Sequence, residues 1–507
     1  MLKSQFGLDY RDGDKGPRLN RVVELKSPAT PALLMKAIYN ISLLLVILPL
    51  SVGPLVANEH PHIVLVMADD HGYGDCGYTG HPFVRTPNLD AMARQSVVFD
   101  RFYASSPVCS PTRAALLTGR HAFRVNVPNH GHYLRPHEVT IAEVLGANGY
   151  VTGHFGKWHI GSVQPDSPTS PGGQGFDEWL SGLNFFDNEP YLSRGGEYVR
   201  LKGAGTAIAA DATIEFLTRH HQGGKPMFAV TWFPAPHDPF RELPEGIEKA
   251  ASLYNEEAGK MAGYFREITL LDQQIGRLRA AIRKLGIAEN TIFFYCSDNG
   301  GLVDATAGGR ARKGSIYEGG LRVPAIMEWP GTLEARKVPT PVSSCDILPT
   351  ILAMAGVPFD PPHPLDGLDA SGIITGSIAK RDPIGFWHGF RSGQSTWSDR
   401  IIKSLKEAQA GGKPNPFPHR ILKNVEEFPE FEDGIYEGHA AWLDWPWKLH
   451  RIEKGENVLV ELYDLSTDPV EKSNVREMHP ARVAKMVSAL ESWQRSVLKS
   501  WEGADYR

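Results

Sequence analysis

The sequence predicts an α/β protein: a mostly parallel central sheet with helices on both faces, followed by a smaller part of different texture. Continuously apolar runs at 62–68, 227–233 and 291–296 are bounded by turn-prone residues, the pattern of strands buried on both faces. Between the second and third runs, Ile268, Leu271, Ile275, Leu278, Ile282 and Leu285 form one stripe at helical spacing. Each run gives way to a polar cluster: Asp69-Asp70-His71-Gly72, Pro236-His237-Asp238-Pro239 and Ser297-Asp298-Asn299-Gly300-Gly301. Open α/β sheets build their sites at the carboxyl ends of such strands.

Taken in order, the chain opens with residues 1–34, polar, charged and without helical or strand period, which read as a non-native extension. Met35-Lys36, an apolar run over 41–50 and small residues near Val56-Ala57 follow the order of a secretory signal peptide, 35–57. The run is too short, and too broken by Pro49 and Pro54, to span a membrane. Translation is thus expected to start at Met35, and the mature chain, exported to the periplasm or secreted, near Asn58. After the first strand, Thr86-Pro87 starts a short helix and 97–99 leads toward a loop. Ser110 then reads as an N-cap and Pro111 as the first position of an Ala/Leu-rich helix. Val139 to Leu145 reads as a helix and Tyr150 to Gly153 as the next strand, delivering Gly156-Lys157-Trp158-His159. The Gly-, Pro-, Ser- and Asn-rich stretch 162–205 reads as excursion loops. After Gly367 the pattern changes: 384–445 is irregular, 447–451 and 458–463 read as antiparallel strands, and 483–498 as a closing helix. The expected division is 59–379 for the main domain and 380–507 for a smaller C-terminal α+β subdomain with an antiparallel sheet.

Composition narrows the chemistry without naming it. At 507 residues the chain exceeds what a single core usually holds. Its 42% hydrophobic and 22% charged residues are those of an ordinary globular protein. A net charge of −5 argues against nucleic acid as a partner, since phosphate binding wants a basic face. Cys76, Cys109, Cys296 and Cys345 are too few for a disulfide framework.

The most specific local signal is Cys109-Ser110-Pro111-Thr112-Arg113, running on to Thr118-Gly119-Arg120. It sets a thiol at a helix N-terminus, where free N–H groups favour an anion, with a guanidinium one turn on. This run resembles the signature of the type I sulfatases, of the arylsulfatase and N-acetylgalactosamine-6-sulfatase kind, and the resemblance extends from about His62 to the C-terminus. It implies an alkaline-phosphatase-like fold, hydrolysis of sulfuric esters, and conversion of Cys109 to Cα-formylglycine by a formylglycine-generating enzyme. The thiol itself suits a hard-cation site poorly, because thiolates prefer softer metals.

Asp69, Asp70, Asp298 and Asn299 supply three carboxylates and an amide, with no His or Cys among them, a set that favours Ca²⁺ over Zn²⁺. The resemblance assigns these four, together with residue 109, to Ca²⁺; Mg²⁺ is the alternative. Cleaving a sulfate monoester needs fixed positive charge around the sulfate and a proton donor at the bridging oxygen. Arg113, Lys157 and Lys313 can supply the charge, and His159 and His237 the proton transfers. Each matches a family position, through Gly156-Lys157-Trp158-His159, Pro236-His237 and Arg312-Lys313 ahead of Tyr317-Glu318-Gly319. The implied mechanism is attack on sulfur by one hydroxyl of the hydrated aldehyde, activated by Ca²⁺ and Asp298, while His237 protonates the departing alcohol. The second hydroxyl, deprotonated with help from His159, then expels sulfate.

The expected substrate is a sulfated glycan or a sulfated small molecule such as an aryl sulfate. Asp238, Arg310 and Arg312 are candidates for contacts with it, joined by His130, His132 and Arg135 beyond the signature helix. Trp387, His388 and Trp397 are candidates for a stacking platform. Two other readings stand beside this one: a phosphomonoester or phosphonate monoester hydrolase on the same scaffold, and a non-catalytic Ca²⁺- or glycan-binding relative.

Overall fold

The computed structural model describes residues 60–240, 261–304, 307–389, 392–431 and 434–507; the expected extension (1–34) and signal peptide (35–57) lie outside the described residues. In chain order the strands of the first part are β1 (His62–Ala68), β2 (Val97–Phe99), β3 (Phe102–Tyr103), β4 (Val151–Lys157), β5 (Glu178–Gly182), β6 (Tyr191–Arg194), β7 (Glu197–Arg200), β8 (Met227–Trp232), β9 (Thr291–Ser297), β10 (Arg322–Val323), β11 (Ala325–Glu328), β12 (Arg336–Val338) and β13 (Val342–Ser343). Ten of them make one sheet in the order β12-β2-β11-β9-β1-β8-β4-β5-β6-β7. Its centre, β9-β1-β8-β4-β5, is parallel; β11, β6 and β7 join antiparallel toward the two edges. The α/β class and the mostly parallel sheet are those the sequence predicts.

The apolar runs are strands because both of their faces are covered. Ile63, Leu65 and Met67 pack with Phe228, Val230, Trp232 and Phe294 on one face. Val64 and Val66 pack with Ala229, Phe293 and Tyr295 on the other, as the alternation of side chains along a strand requires. The helix Ala262–Lys284 lays Leu271, Ile275, Leu278 and Ile282 onto the second face, and the helix Cys109–Thr118 contributes Leu116 and Leu117 to the first. Each such side chain contributes about 1.5–3 kcal/mol by leaving water.

Register is what makes the sheet a platform for a site. Ala68 pairs with Ser297, Met67 with Trp232, and Gly156 with Trp232, so β1, β9, β8 and β4 all end at one level. Asp69, Asp298 and Lys157 therefore leave the sheet side by side. Gly156 makes that possible: at φ +118 its backbone passes so close to β8 that a Cβ would stand 1.9 Å from the Trp232 carbonyl oxygen.

Two segments are more ordered than their composition suggested. Residues 162–205 are not only loops, since β5, β6 and β7 extend the sheet. The Gly195-Gly196 pair that reads as loop material is the two-residue turn of the β6–β7 hairpin, with φ of +57 and +94. Residues 384–445, read as irregular, contain β14 (Ile384–His388), the helix Ser398–Ala410 and β15 (Gly438–Asp444). With β16 (Trp447–Lys454) and β17 (Asn457–Asp464), β14 and β15 form a four-stranded antiparallel sheet backed by the helix Pro480–Trp501.

One face of that sheet meets the helix through Leu449, Leu462, Leu490, Val497 and Trp501. The other packs Phe386, Ala441 and Tyr463 against Tyr103, Ile316, Tyr317 and Leu321, just beyond Lys313. A buried ion network seals this seam: Lys448 Nζ lies 2.8 Å from Glu318 and 3.2 Å from Glu471, with all three side chains out of solvent. Replacing Lys448 by Ala strands two buried carboxylates without their shared cation and is expected to cost about 3–5 kcal/mol, read as a lower urea midpoint.

Candidate active site

The polar clusters at the strand ends converge on the N-terminus of the signature helix. That helix begins at Cys109 with Val108 as its cap residue and no side-chain cap. Ser110 and Pro111 therefore each sit two positions further in than their cap and first-turn preferences suggested. From there the Ser110 hydroxyl makes a tertiary contact, donating to the His159 carbonyl at 2.7 Å. Asp70 (φ +75) and His159 (φ +60) both hold left-handed backbone, which non-glycine residues adopt only when their surroundings enforce it. At Asp70 the enforcement includes its own N–H, which donates to Asp298 Oδ1 at 3.1 Å.

Asp69, Asp70, Asp298 and Asn299 are fully buried, and a cation answers each of the three carboxylates. Lys157 Nζ lies 2.7 Å from Asp69 Oδ2, and Lys313 Nζ 2.7 Å from Asp70. Arg113 Nη2 lies 2.6 Å from Asp298 Oδ2 and 3.6 Å from Asp69 Oδ1. The Arg113 fork thus turns toward the carboxylates, while its Nη1 donates to the Lys157 carbonyl at 3.2 Å. His237 Nε2 stands 3.8 Å from Asp70 Oδ2. Cys109 Sγ approaches His159 Nδ1 at 3.3 Å, and Sγ with one oxygen each of Asp69 and Asp298 lie within 4.8 Å of one another.

This cluster fits a hard divalent cation. Asp69 Oδ1 and Asn299 Oδ1 are buried without a hydrogen bond, two oxygen donors facing an otherwise oxygen-rich set. The charges agree. Burial works to raise the Asp69 carboxyl, but Lys157, His237, Arg113 and Lys313 together hold it well below the usual carboxylate range. Burial and the Asp69 charge then push Asp298 up to about 7 despite the Arg113 contact, so the pair retains a proton that a cation would displace. Burial also raises the Cys109 thiol, which leaves it protonated and a weak nucleophile as a thiol. Burial, with Lys157 and Arg113 beside it, keeps His159 well below its ordinary value and hence neutral.

The cluster opens into a cavity of about 870 Å³ lined by Cys109, His130, His159, His237, Asp238 and Lys313 on one side. Asn184, Phe185, Asp187, Asp399 and Arg400 line it as well, and the sequence reading did not single them out. Their only local signal is an aromatic pair, Phe185-Phe186, inside a loop-like stretch. The Phe185 ring stacks on the His237 imidazole at 5.0 Å between centroids. Trp397 lines the cavity too.

Other candidates lie elsewhere. Arg310 does not line this cavity: its guanidinium covers the Tyr317 ring at 3.8 Å and donates to the Tyr463 hydroxyl at 2.9 Å, part of the seam with the C-terminal sheet. Arg312 is exposed, donating to the Leu302 carbonyl at 2.8 Å and facing Asp304. Arg135 is buried and donates to the carbonyls of Arg124 and Trp501. His132 and His388 are not among the lining residues, and Trp387 is a core residue stacked on Phe123 at 4.6 Å. All four cysteines are buried free thiols, so no disulfide bridges them.

Comparisons with known proteins identify the family. The Sulfatase family model matches residues 61–357. Human arylsulfatase A is 34% identical over 372 residues, 65% of this chain and 71% of that protein. The N-acetylgalactosamine-6-sulfatase of Canis lupus familiaris is 31% identical over 389 residues, 68% of this chain and 72% of that protein. The crystal structure of Ps i-CgsB in complex with k-i-k-neocarrahexaose superposes with a TM-score of 0.70 at 25% identity, covering 87% of this chain and 93% of that one.

The Asp298 proton makes cation binding pH-dependent in a defined direction. Below about pH 7 a cation must displace that proton, and above it there is none to displace. Chelator-stripped protein should therefore gain more thermal stability from added CaCl₂ above pH 7 than well below it; a shift that grows as the pH falls would contradict this.

Proposed function

The chain belongs to the sulfatase family and is a sulfuric ester hydrolase, and from that premise we propose that it removes sulfate from a carbohydrate or aryl sulfate monoester using Cα-formylglycine made from Cys109 and Ca²⁺ held by Asp69, Asp70, Asp298 and Asn299. The observation that carries the proposal is the position of Cys109: its sulfur is the one soft atom in a cluster whose other donors are oxygens, within 4.8 Å of Asp69 and Asp298. Exchanging that thiol for an oxygen-bearing group removes the mismatch. When present, the hydrated aldehyde would supply the hydroxyl that attacks sulfur, and the cation would offset the charge of the sulfate.

The chain's own residues divide the remaining work. Lys157 and Lys313 are paired with Asp69 and Asp70, and with those carboxylates shared with a cation they would be the positive charges left for the sulfate oxygens. Arg113, buried between Asp69 and Asp298, keeps both carboxylates oriented. His159 is neutral, and its Nδ1 faces the side chain of residue 109, so it can take a proton from a hydroxyl there. His237 Nδ1 lies 2.5 Å from the Asp238 carbonyl; a carbonyl only accepts, so Nδ1 carries the hydrogen and Nε2 is the nitrogen left to serve the departing alcohol. Export through the 35–57 segment to the periplasm or medium, and maturation by a formylglycine-generating enzyme, belong to the same proposal.

Two experiments test it. The mass of the peptide containing Cys109 from active protein should be lower than that of the thiol form by the difference between CH₂SH and CHO, and Cys109→Ser should lose at least about 10³-fold in kcat. An untouched thiol in fully active enzyme, or full turnover by the serine variant, would overturn the assignment. His237→Asn should lower kcat by about 10²–10⁴-fold on alkyl or sugar sulfates, whose alcohols leave poorly without a proton. The loss should be smaller on 4-nitrophenyl sulfate, whose phenolate leaves readily; equal losses on both would remove His237 from the leaving-group step.

A further inference from the structure

The cavity that ends at Cys109 is larger than a sulfate group requires. At about 870 Å³ it falls in the range that holds ligands of drug size, while the chemistry occupies only the end around Cys109, His159 and Lys313. The lining away from that end is completed by residues 184–187 and 395–400, two segments far apart in the chain. They are tied to each other: the Leu183 N–H donates to Ser398 Oγ at 3.1 Å, Asn184 Nδ2 to the Thr396 carbonyl at 3.2 Å, and the Tyr191 N–H to Asp399 Oδ1 at 3.3 Å. On this braced wall Thr396 and Ser398 are buried, yet Trp397 between them is 67% exposed. An indole held on a fixed backbone, bordering the active-site cavity and left in water, is apolar surface that folding has not used.

We propose that Trp397 is the platform for the leaving-group side of the substrate, and that this substrate is a glycan in which an uncharged sugar, next to the sulfated one, stacks on the indole. The inference deepens the sulfatase reading and rests on it. The apolar face of a sugar ring suits an exposed aromatic plane, and its hydroxyl donors suit carboxylate acceptors. The charged side chains of these two segments are Asp187 and Asp399 against Arg400, a balance that disfavours a second sulfate or a uronate beside the sulfated sugar.

The test compares wild type, Trp397→Ala and Trp397→Phe on 4-nitrophenyl sulfate and on singly sulfated mono-, di- and tetrasaccharides of galactose, N-acetylgalactosamine and glucosamine type, with thermal melts to verify folding. Wild-type kcat/KM should rise with chain length. The Trp397→Ala loss should grow with length, reaching about tenfold or more on the tetrasaccharide, and should fall in KM while kcat holds. Trp397→Phe should recover most of it, and a second sulfate on the neighbouring sugar should lower wild-type kcat/KM. A loss of equal size on every substrate, no loss on any, or a preference for the doubly sulfated oligosaccharide overturns the inference. Turnover of 4-nitrophenyl sulfate with no length dependence overturns the platform alone, whereas no turnover of any sulfate ester would sink the sulfatase reading itself.

Discussion

Three carboxylates buried within reach of one another cannot all stay charged unless positive charge is brought to them. Asp69, Asp70 and Asp298 meet that condition through Lys157, Lys313 and Arg113, each within 2.7 Å of its partner. The balance is incomplete, since Asp298 still holds its proton to about pH 7 and Asp69 Oδ1 accepts no hydrogen bond. A buried ionic cluster of this kind adds little net stability compared with apolar packing. Its value lies in being unfinished: the missing positive charge is what a divalent cation would bring.

The strands hold this cluster in place. Because β1, β9, β8 and β4 end at one level, residues from positions as distant as 69, 157 and 298 meet without long loops. The left-handed residues Asp70 and His159 redirect the chain at those ends, one toward the carboxylates and one toward Cys109. Conformations of this sort cost about 1–3 kcal/mol each and persist where surrounding hydrogen bonds over-determine them. Those bonds include Asp70 N–H to Asp298 and Ser110 hydroxyl to the His159 carbonyl.

The C-terminal sheet takes part in this arrangement from a distance. Its buried Lys448 holds Glu318, and its Tyr463 and Glu461 hold Arg310 and Tyr317, so the segment carrying Lys313 is fastened on both sides of it. Lys313 itself stays half-buried at the cavity edge, able to reach Asp70 from a fixed base. A lysine on a free loop would surrender rotamer entropy on every binding event; one set on a clamped segment surrenders less. Residues 395–400 line the same cavity and present Trp397, so the C-terminal portion shapes more of it than the cationic end.

Much of the fold and of the site was legible in the sequence because it is written in local signals. Continuous apolar runs mark strands buried on both faces, polar clusters mark their ends, and Cys109 to Arg113 is specific enough to indicate a family. Where composition and structure part, tertiary contacts decide. Gly195-Gly196 looks like loop and is a hairpin turn, because a partner strand was waiting for β7 to pair with it. Arg310 and Arg312 are near neighbours of Lys313 in sequence, yet one is spent on Tyr317 and Tyr463 and the other on the Leu302 carbonyl and Asp304, since a loop sends successive side chains in different directions. Trp387 and Trp397 have the same chemistry, and only packing made one a core residue and the other a cavity wall. Residue type and period thus determined which elements form and which chemical groups are on offer. Strand register and the packing of distant segments decided which of those groups meet, because proximity between positions far apart in the chain is a property of the assembled core and of no local stretch within it.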